Sequence, residues 1–199
     1  MATAVKKRIA IIQGHPDPKA NHFCHALAYE YAQCAQEAGH ATRTIQVARL
    51  SFPLVRNAAD WESGTACADI EKAQEAIAWA SHLVIVFPLW LGDMPALLKA
   101  FFEQAFRPGF AIGKARPGRM PKKLLEGKSA RIIVTMGMPA FFYRLFYRAH
   151  SVKSMERNIL GFCGISPVRT SLVGTVGTGD AEQRSRALTA IATLGFKGL

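Results

Sequence analysis

Long hydrophobic runs are missing. The longest, Leu83 to Leu91, spans nine residues and is interrupted by Pro88, whereas a membrane-crossing helix needs about 20 apolar residues. No transmembrane segment is expected. The start, Met1 to Arg8, is polar and basic, and the apolar stretch behind it, Ile9 to Ile12, is too short for a secretory leader. The chain is therefore expected in the cytoplasm. Cysteine is sparse: Cys24, Cys34, Cys67 and Cys163 form no CxxC pair and no His/Cys spacing suited to zinc. They read as reduced core thiols, and no metal site is expected. GxGxxG and Walker A loops are both absent, which argues against an NAD-binding Rossmann turn and a P-loop. Repeats and low-complexity tracts are absent too. What remains is one ordinary domain over 1–199, long enough to bury a core, with half its residues apolar and a fifth charged.

Acidic residues are few, 14 against 25 Lys plus Arg. The whole excess of +11 falls between Gln104 and Arg169, which carries thirteen basic residues against Glu126 and Glu156. Such asymmetry points to an anionic partner: nucleic acid, membrane headgroups or the phosphates of a nucleotide cofactor. A solvated basic face serves equally well. No helix-turn-helix, zinc-finger or aromatic RNP pattern accompanies the charges, so nucleic acid is not expected and nucleotide phosphates come first.

Hydrophobic periodicity predicts strands at Arg8–Gln13, Ala41–Val47, His82–Phe87, Ala130–Thr135 and Val168–Val173. The third, HLVIVF, is almost wholly apolar, as a central parallel strand buried on both faces should be. Helical patterns lie between them. His22–Ala38 ends at Gly39, a C′ residue, and Ala68–Ala80 is alanine-rich. Met94–Phe106 follows a capping Asp93. Arg144–Phe162 reads as one helix, and Asp180–Leu194 opens with Asp180 and Gln183 as a capping box. Strands alternating with helices predict a three-layer α/β domain with a parallel sheet. In a doubly wound sheet, ligands bind beyond the carboxyl ends of the strands, so the loops there become the site prediction.

Three of those loops are unusual. Gly14 to His22 (GHPDPKANH) runs straight into a helix, whose N-terminal N–H groups and dipole favour a phosphate. His15, Lys19 and His22 can add hydrogen bonds, and Asn21 can cap the helix. The same loop also serves as a plain βα turn. Pro88 to Pro95 (PLWLGDMP) is apolar where the chain meets water, which suits a planar aromatic ligand bonded by backbone N–H groups. Trp90 anchoring the loop to the core or a partner subunit is the alternative. Met136 to Tyr143 (MGMPAFFY) places small residues before aromatics, with Tyr143, Tyr147 and His150 as the nearby proton-active groups.

Together GHPDPKANHFCHAL, FPLWLGDMPALLKAFFEQAFRPGFA and TMGMPAFFY resemble the flavodoxin-like NAD(P)H:quinone oxidoreductases, including bacterial quinone reductases and the ancillary oxidoreductases of potassium-efflux systems. The likeness extends over nearly the whole chain. It implies a flavodoxin-like fold with strand order 2-1-3-4-5 and helices on both faces. It also implies a bound FAD, or alternatively FMN, with NADPH or NADH as hydride donor, a quinone as acceptor and ping-pong kinetics. A homodimer with flavin sites at its interface follows from the same resemblance. Carried over by residue, His15, Lys19, Ala20, Asn21 and His22 are similar to the flavin phosphate loop. Pro88, Leu89, Trp90 and Leu91 are similar to the wall beside the isoalloxazine, and Thr135, Met136 and Gly137 to a second contact strip. Tyr143 resembles the active-site tyrosine and His150 the active-site histidine, one residue further along than in the mammalian enzymes. Ala20 stands where many members have Ser, and His22 where Asn is common. The cations from Lys114 to Lys123 would favour NADPH by pairing its 2′-phosphate. The ancillary-protein likeness leaves a second reading: a weakly catalytic subunit that binds a membrane transport protein.

Overall fold

The structure, a computed structural model, describes residues 5–19, 21–114 and 118–199. Five strands alternate with helices: β1 (Arg8–Gln13), α1 (Phe23–Glu37), β2 (Ala41–Gln46), α2 (Ala58–Ser63), α3 (Ala68–Trp79), β3 (His82–Pro88), α4 (Ala96–Ala105), β4 (Ser129–Thr135), α5 (Ala140–Leu145), α6 (His150–Ser154), β5 (Val168–Val173) and α7 (Ala181–Lys197). The strands form one parallel sheet in the order β2-β1-β3-β4-β5. Every residue of β3 is buried, because β1 and β4 flank it and helices cover both faces. That burial explains its unbroken apolar sequence.

The pleat divides the core in two. Ile9, Ile11, Val84, Val86 and Ile133 pack under α1 and α7, while Ala10, Ile12, Leu83, Ile85 and Phe87 pack under α3, α4 and the α5–α6 region. Alternating residues of one strand thus serve opposite helical layers. Gly14 closes β1 by donating its N–H to Val86 O at 2.8 Å, and a Cβ there would stand 2.6 Å from Leu98 Cδ2. A side chain at this position would have to displace Leu98 of α4. Gly39 ends the first helix at φ +83, as its C′ position predicts.

Several elements depart from the sequence reading. α4 starts two residues late, since Asp93 accepts from its neighbour Met94 N–H and Pro95 takes the capping position. Arg144–Phe162 is not one helix. α5 begins after Pro139, the chain turns left-handed at Arg148 (φ 51) and Ala149 (φ 50), and α6 then continues into a π turn over Met155–Leu160. The break separates two buried faces, Tyr143 on one side and Val152, Met155 and Leu160 on the other. The short α2, capped by Asn57 Oδ1 accepting from Asp60 N–H at 2.8 Å, was not foreseen. Asp180 caps α7 as expected, accepting from Gln183 N–H at 2.7 Å. All four cysteines are free; Cys24 and Cys163 are buried, and Cys34 and Cys67 only partly so.

Candidate functional site

β1 is flanked by β2 on one side and β3 on the other, so the loops leaving the carboxyl ends of β1 and β3 diverge at a topological switch point. The loop after β1 is held by its own side chains. Gln13 Oε1 accepts from His15 N–H at 3.2 Å, and Asp17 Oδ1 accepts from Lys19 N–H at 2.9 Å. His22 Nε2 sits 2.7 Å from Asp17 Oδ2. The rings of His15 and His22 stack at 4.0 Å, with His25 at 5.3 Å from His15 and Trp90 edge-on at 5.6 Å.

Those contacts set protonation. Burial, followed by the neighbouring His22 and His25, pushes the His15 pKa down to about 4. Burial also lowers that of His25, with His22 next. Hydrogen bonds from His22 and the Lys19 N–H hold Asp17 below the usual carboxylate range. His15 is therefore neutral near pH 7. Its Nδ1 accepts from Asp17 N–H at 3.1 Å, which places the ring proton on Nε2 and makes that atom a donor.

α1 begins beside this donor without a side-chain cap and without an acidic residue in its first turn. Its leading N–H groups and its positive dipole end are available to an anion. Next to them Asn21, His22, Phe23, His25, Tyr29 and Arg184 line a cavity of about 610 Å3. Among the described residues the buried His25 Nδ1 has no partner. His25 and Arg184 were missed in the sequence; the i+3 spacing of His25 from His22 was the available signal, while Arg184 arrives from the last helix.

The other loops complete the crevice. Leu89 N–H donates to Thr135 O at 2.7 Å, joining the ends of β3 and β4, and Met136 N–H donates to Val173 O at 2.9 Å. Cys24 Sγ lies 3.0 Å from Thr135 Oγ1, which ties α1 to the same point. Trp90 is about half exposed and Leu91 fully so, the latter at φ +48. The N–H groups of Leu91 and Gly137 have no acceptor among the described residues. A Cβ built on Gly137 meets nothing within 4 Å, so open space stands over this strip. An uncapped helix end with a neutral histidine donor, an indole wall and backbone N–H groups without an acceptor among the described residues fits a phosphate-bearing planar ring such as a flavin.

The structure thus brings His15, His22, Trp90, Pro88, Leu89, Thr135, Met136 and Gly137 to one sheet edge. Lys19 is exposed on the rim and Ala20 lies outside the described residues. Tyr143 departs from the expectation of an available donor: it is 1% exposed, and its hydroxyl lies 2.6 Å from Ser151 Oγ, also buried. It occupies the inward face of α5, whose outward positions carry Phe141, Phe142 and Leu145, with Phe146 exposed at the C-cap. His150 and Tyr147 are exposed.

The basic segment does not converge on the loop after β1. Arg107 is buried against Gln104 and Asp60, Arg131 bonds Ser171, and Lys128 donates to the Ala78 and Ala80 carbonyls ending α3. Lys114, Arg119 and Lys122 line a separate cavity of about 460 Å3. Their stretch returns to β4 at the amino edge of the sheet, opposite the crevice, because α4 runs antiparallel to the strands. Arg116 lies outside the described residues. No group of three or more His, Cys, Asp or Glu suited to a metal occurs among the described residues, and no helix there is long and apolar enough to cross a membrane.

A family model described as a flavodoxin-like fold matches residues 7–194. An uncharacterized NAD(P)H oxidoreductase of Haemophilus influenzae is 26% identical over 178 residues, 87% of this chain and 87% of its own length. The FMN-dependent NADH:quinone oxidoreductase 1 of Hahella chejuensis is 32% identical over 125 residues, 59% of this chain and 58% of that one. Two further curated relatives are spanned over 57% and 50% of their length. Among solved structures, the NAD(P)H:quinone oxidoreductase of Methanothermobacter marburgensis matches with a TM-score of 0.80 over 96% of this chain and 98% of that one, at 23% identity. That last likeness is one of fold.

Proposed function

The chain belongs to the family with the flavodoxin-like fold, and on that premise we propose that it is a flavin-dependent NAD(P)H dehydrogenase acting on a quinone-type acceptor. The observation that carries the reading is the meeting of an uncapped α1, the neutral Nε2–H donor of His15 and the Trp90 wall at one switch point. The names of the Haemophilus and Hahella relatives supply the reaction class.

His15 and the first N–H groups of α1 would hold the phosphate, and His22 would keep Asp17 turned away from it through their 2.7 Å contact. Pro88 to Leu91 and Thr135 to Gly137 would flank the ring, with the Leu91 and Gly137 N–H groups as donors to its polar edge. When bound, the flavin supplies a carrier for the hydride pair between a nicotinamide and the acceptor. The chain's own part is to align both partners and to place donors where charge develops. One crevice serving donor and acceptor in turn predicts ping-pong kinetics. Tyr147 and His150, being exposed, are the proton-active groups open to an acceptor; Tyr143 would act by fixing α5.

The resemblance put FAD first; the FMN-dependent name of the Hahella relative supports FMN instead. The proposed cradle holds the mononucleotide half common to both, and the cavity beside α1 is the room for anything larger. The active species is a cytoplasmic homodimer in this reading. Heat release of the chromophore from the yellow holoprotein, followed by chromatography, tests it directly. FMN with NAD(P)H-driven reduction of benzoquinone supports the assignment. An apoprotein that neither FMN nor FAD reconstitutes overturns it.

A further inference from the structure

α5 is a core helix turned inside out. Its single buried residue is Tyr143, while Phe141 and Phe146 are each 68% exposed and Leu145 is 72% exposed. Phe142 stacks on Phe146 at 5.1 Å, and Tyr147 packs edge-on against both rings. The result is a preassembled aromatic knob, since its side chains already hold one another in place. Contiguous exposed apolar surface of this kind marks an interaction site.

The charges around the knob specify its partner. Arg144 and Arg148 are exposed on the same segment, with Lys153 and Arg157 exposed just beyond it. Between Gly127 and Met155 there is no Asp or Glu at all. Arg144 also lines, with Phe141, Leu145 and Leu172, an open concavity of about 350 Å3, wide enough for a lipid headgroup. In a two-fold contact through this face the arginines would meet their own copies, and the stretch from Gly127 to Met155 offers no carboxylate to pair them. Aromatic and aliphatic side chains ringed by cations are instead the composition of a surface that lies in the headgroup layer of an anionic membrane.

We propose that α5 and the turn at Arg148–Ala149 form a docking surface for an anionic lipid bilayer. Phe141, Leu145 and Phe146 enter the acyl boundary, and Arg144 and Arg148 sit among the phosphates. α5 follows the carboxyl end of β4, the edge that carries Trp90, Leu91 and Gly137, so docking turns the crevice toward the bilayer. The class of acceptor then becomes a lipophilic quinone dissolved in the membrane; this consequence rests on the proposed reductase activity, whereas the binding itself does not.

The test uses the holoprotein and co-sedimentation with vesicles of phosphatidylcholine, with and without phosphatidylglycerol. Binding to the anionic vesicles is expected to exceed binding to neutral ones by about ten-fold or more and to weaken with salt. Leu145→Ser with Phe146→Ser should lose about ten-fold of that binding, and Arg144→Gln about five-fold. The double variant should retain wild-type circular dichroism and turnover of a water-soluble benzoquinone, yet lose turnover of a long-chain quinone embedded in the vesicles. Equal or absent binding to the two vesicle types overturns the proposal. So does a halving of the solution mass in the double variant, which would assign the face to a second copy. If vesicles bind as expected but no quinone is reduced, the surface stands and the reductase reading falls.

Discussion

The hydroxyl groups of Tyr143 and Ser151 meet at 2.6 Å inside the core, across the left-handed turn that separates α5 from α6. The bond joins the two sides of the break, which a backbone bond from Ala149 N–H to Tyr143 O at 3.2 Å also spans. Together they fix the position of α5 against α6.

Removing either partner leaves a buried hydroxyl unpaired, at about 1–3 kcal/mol. Tyr143→Phe and Ser151→Ala should each lower the unfolding free energy by that order. The double variant should cost less than the sum, because the two changes remove one shared interaction. Urea denaturation measures all three. A loss of about 10² in quinone reduction by Tyr143→Phe at unchanged stability would place that phenol in the chemistry instead.

His15 gives a pH dependence of definite sign. Its pKa is about 4 folded against an ordinary 6.5, so between those values the unfolded chain binds more protons than the folded one. Stability then rises with pH in this window; it is complete above about 6.5 and is lost as pH falls toward 4. Burial lowers the His25 pKa as well, with the same sign. Thermal unfolding of the apoprotein should therefore show a melting temperature that drops below about pH 6.5, and His15→Asn should flatten part of that slope.

Gly137 and Gly14 separate open space from packing space. A side chain on Gly137 enters open space, so Gly137→Val should change stability by no more than about 0.5 kcal/mol while lowering flavin content strongly. Gly14→Ala drives a methyl into Leu98 and should cost about 1–3 kcal/mol. Absorbance of the purified proteins and chemical denaturation distinguish the two effects.

Lys128 crowns the carbonyl end of α3 with bonds to Ala78 and Ala80. Lys128→Met should destabilise by about 1–2 kcal/mol, read as a shift in denaturation midpoint with flavin content unaltered. A fall in flavin content would instead connect this cation with the crevice.

The strands were legible because their signal is local. β1, β3 and β5 fall where alternation and apolar runs placed them, within a residue, and the loops after β1, β3 and β4 do meet at one edge. The loop after β1 was legible as part of the candidate site but not in its internal chemistry. That the Asp17 N–H fixes the tautomer of His15 depends on how the loop folds back on itself, and that His25 and Arg184 open a cavity beside it depends on contact between α1 and α7. The Arg144–Phe162 region was misjudged because periodicity counts apolar residues as core-facing, while here Leu145 and Phe146 face outward and the chain turns left-handed at Arg148 and Ala149.

By itself, then, the order of residues determined the α/β alternation and which loops lie at the carboxyl edge, since both follow from backbone propensity and the handedness of parallel crossovers. Only the tertiary structure decided what opposes each face: which cations are spent inside the fold, which phenol is buried, and which aromatic surface is left uncovered. Burial is a property of two surfaces in contact, and a linear pattern records only one of them.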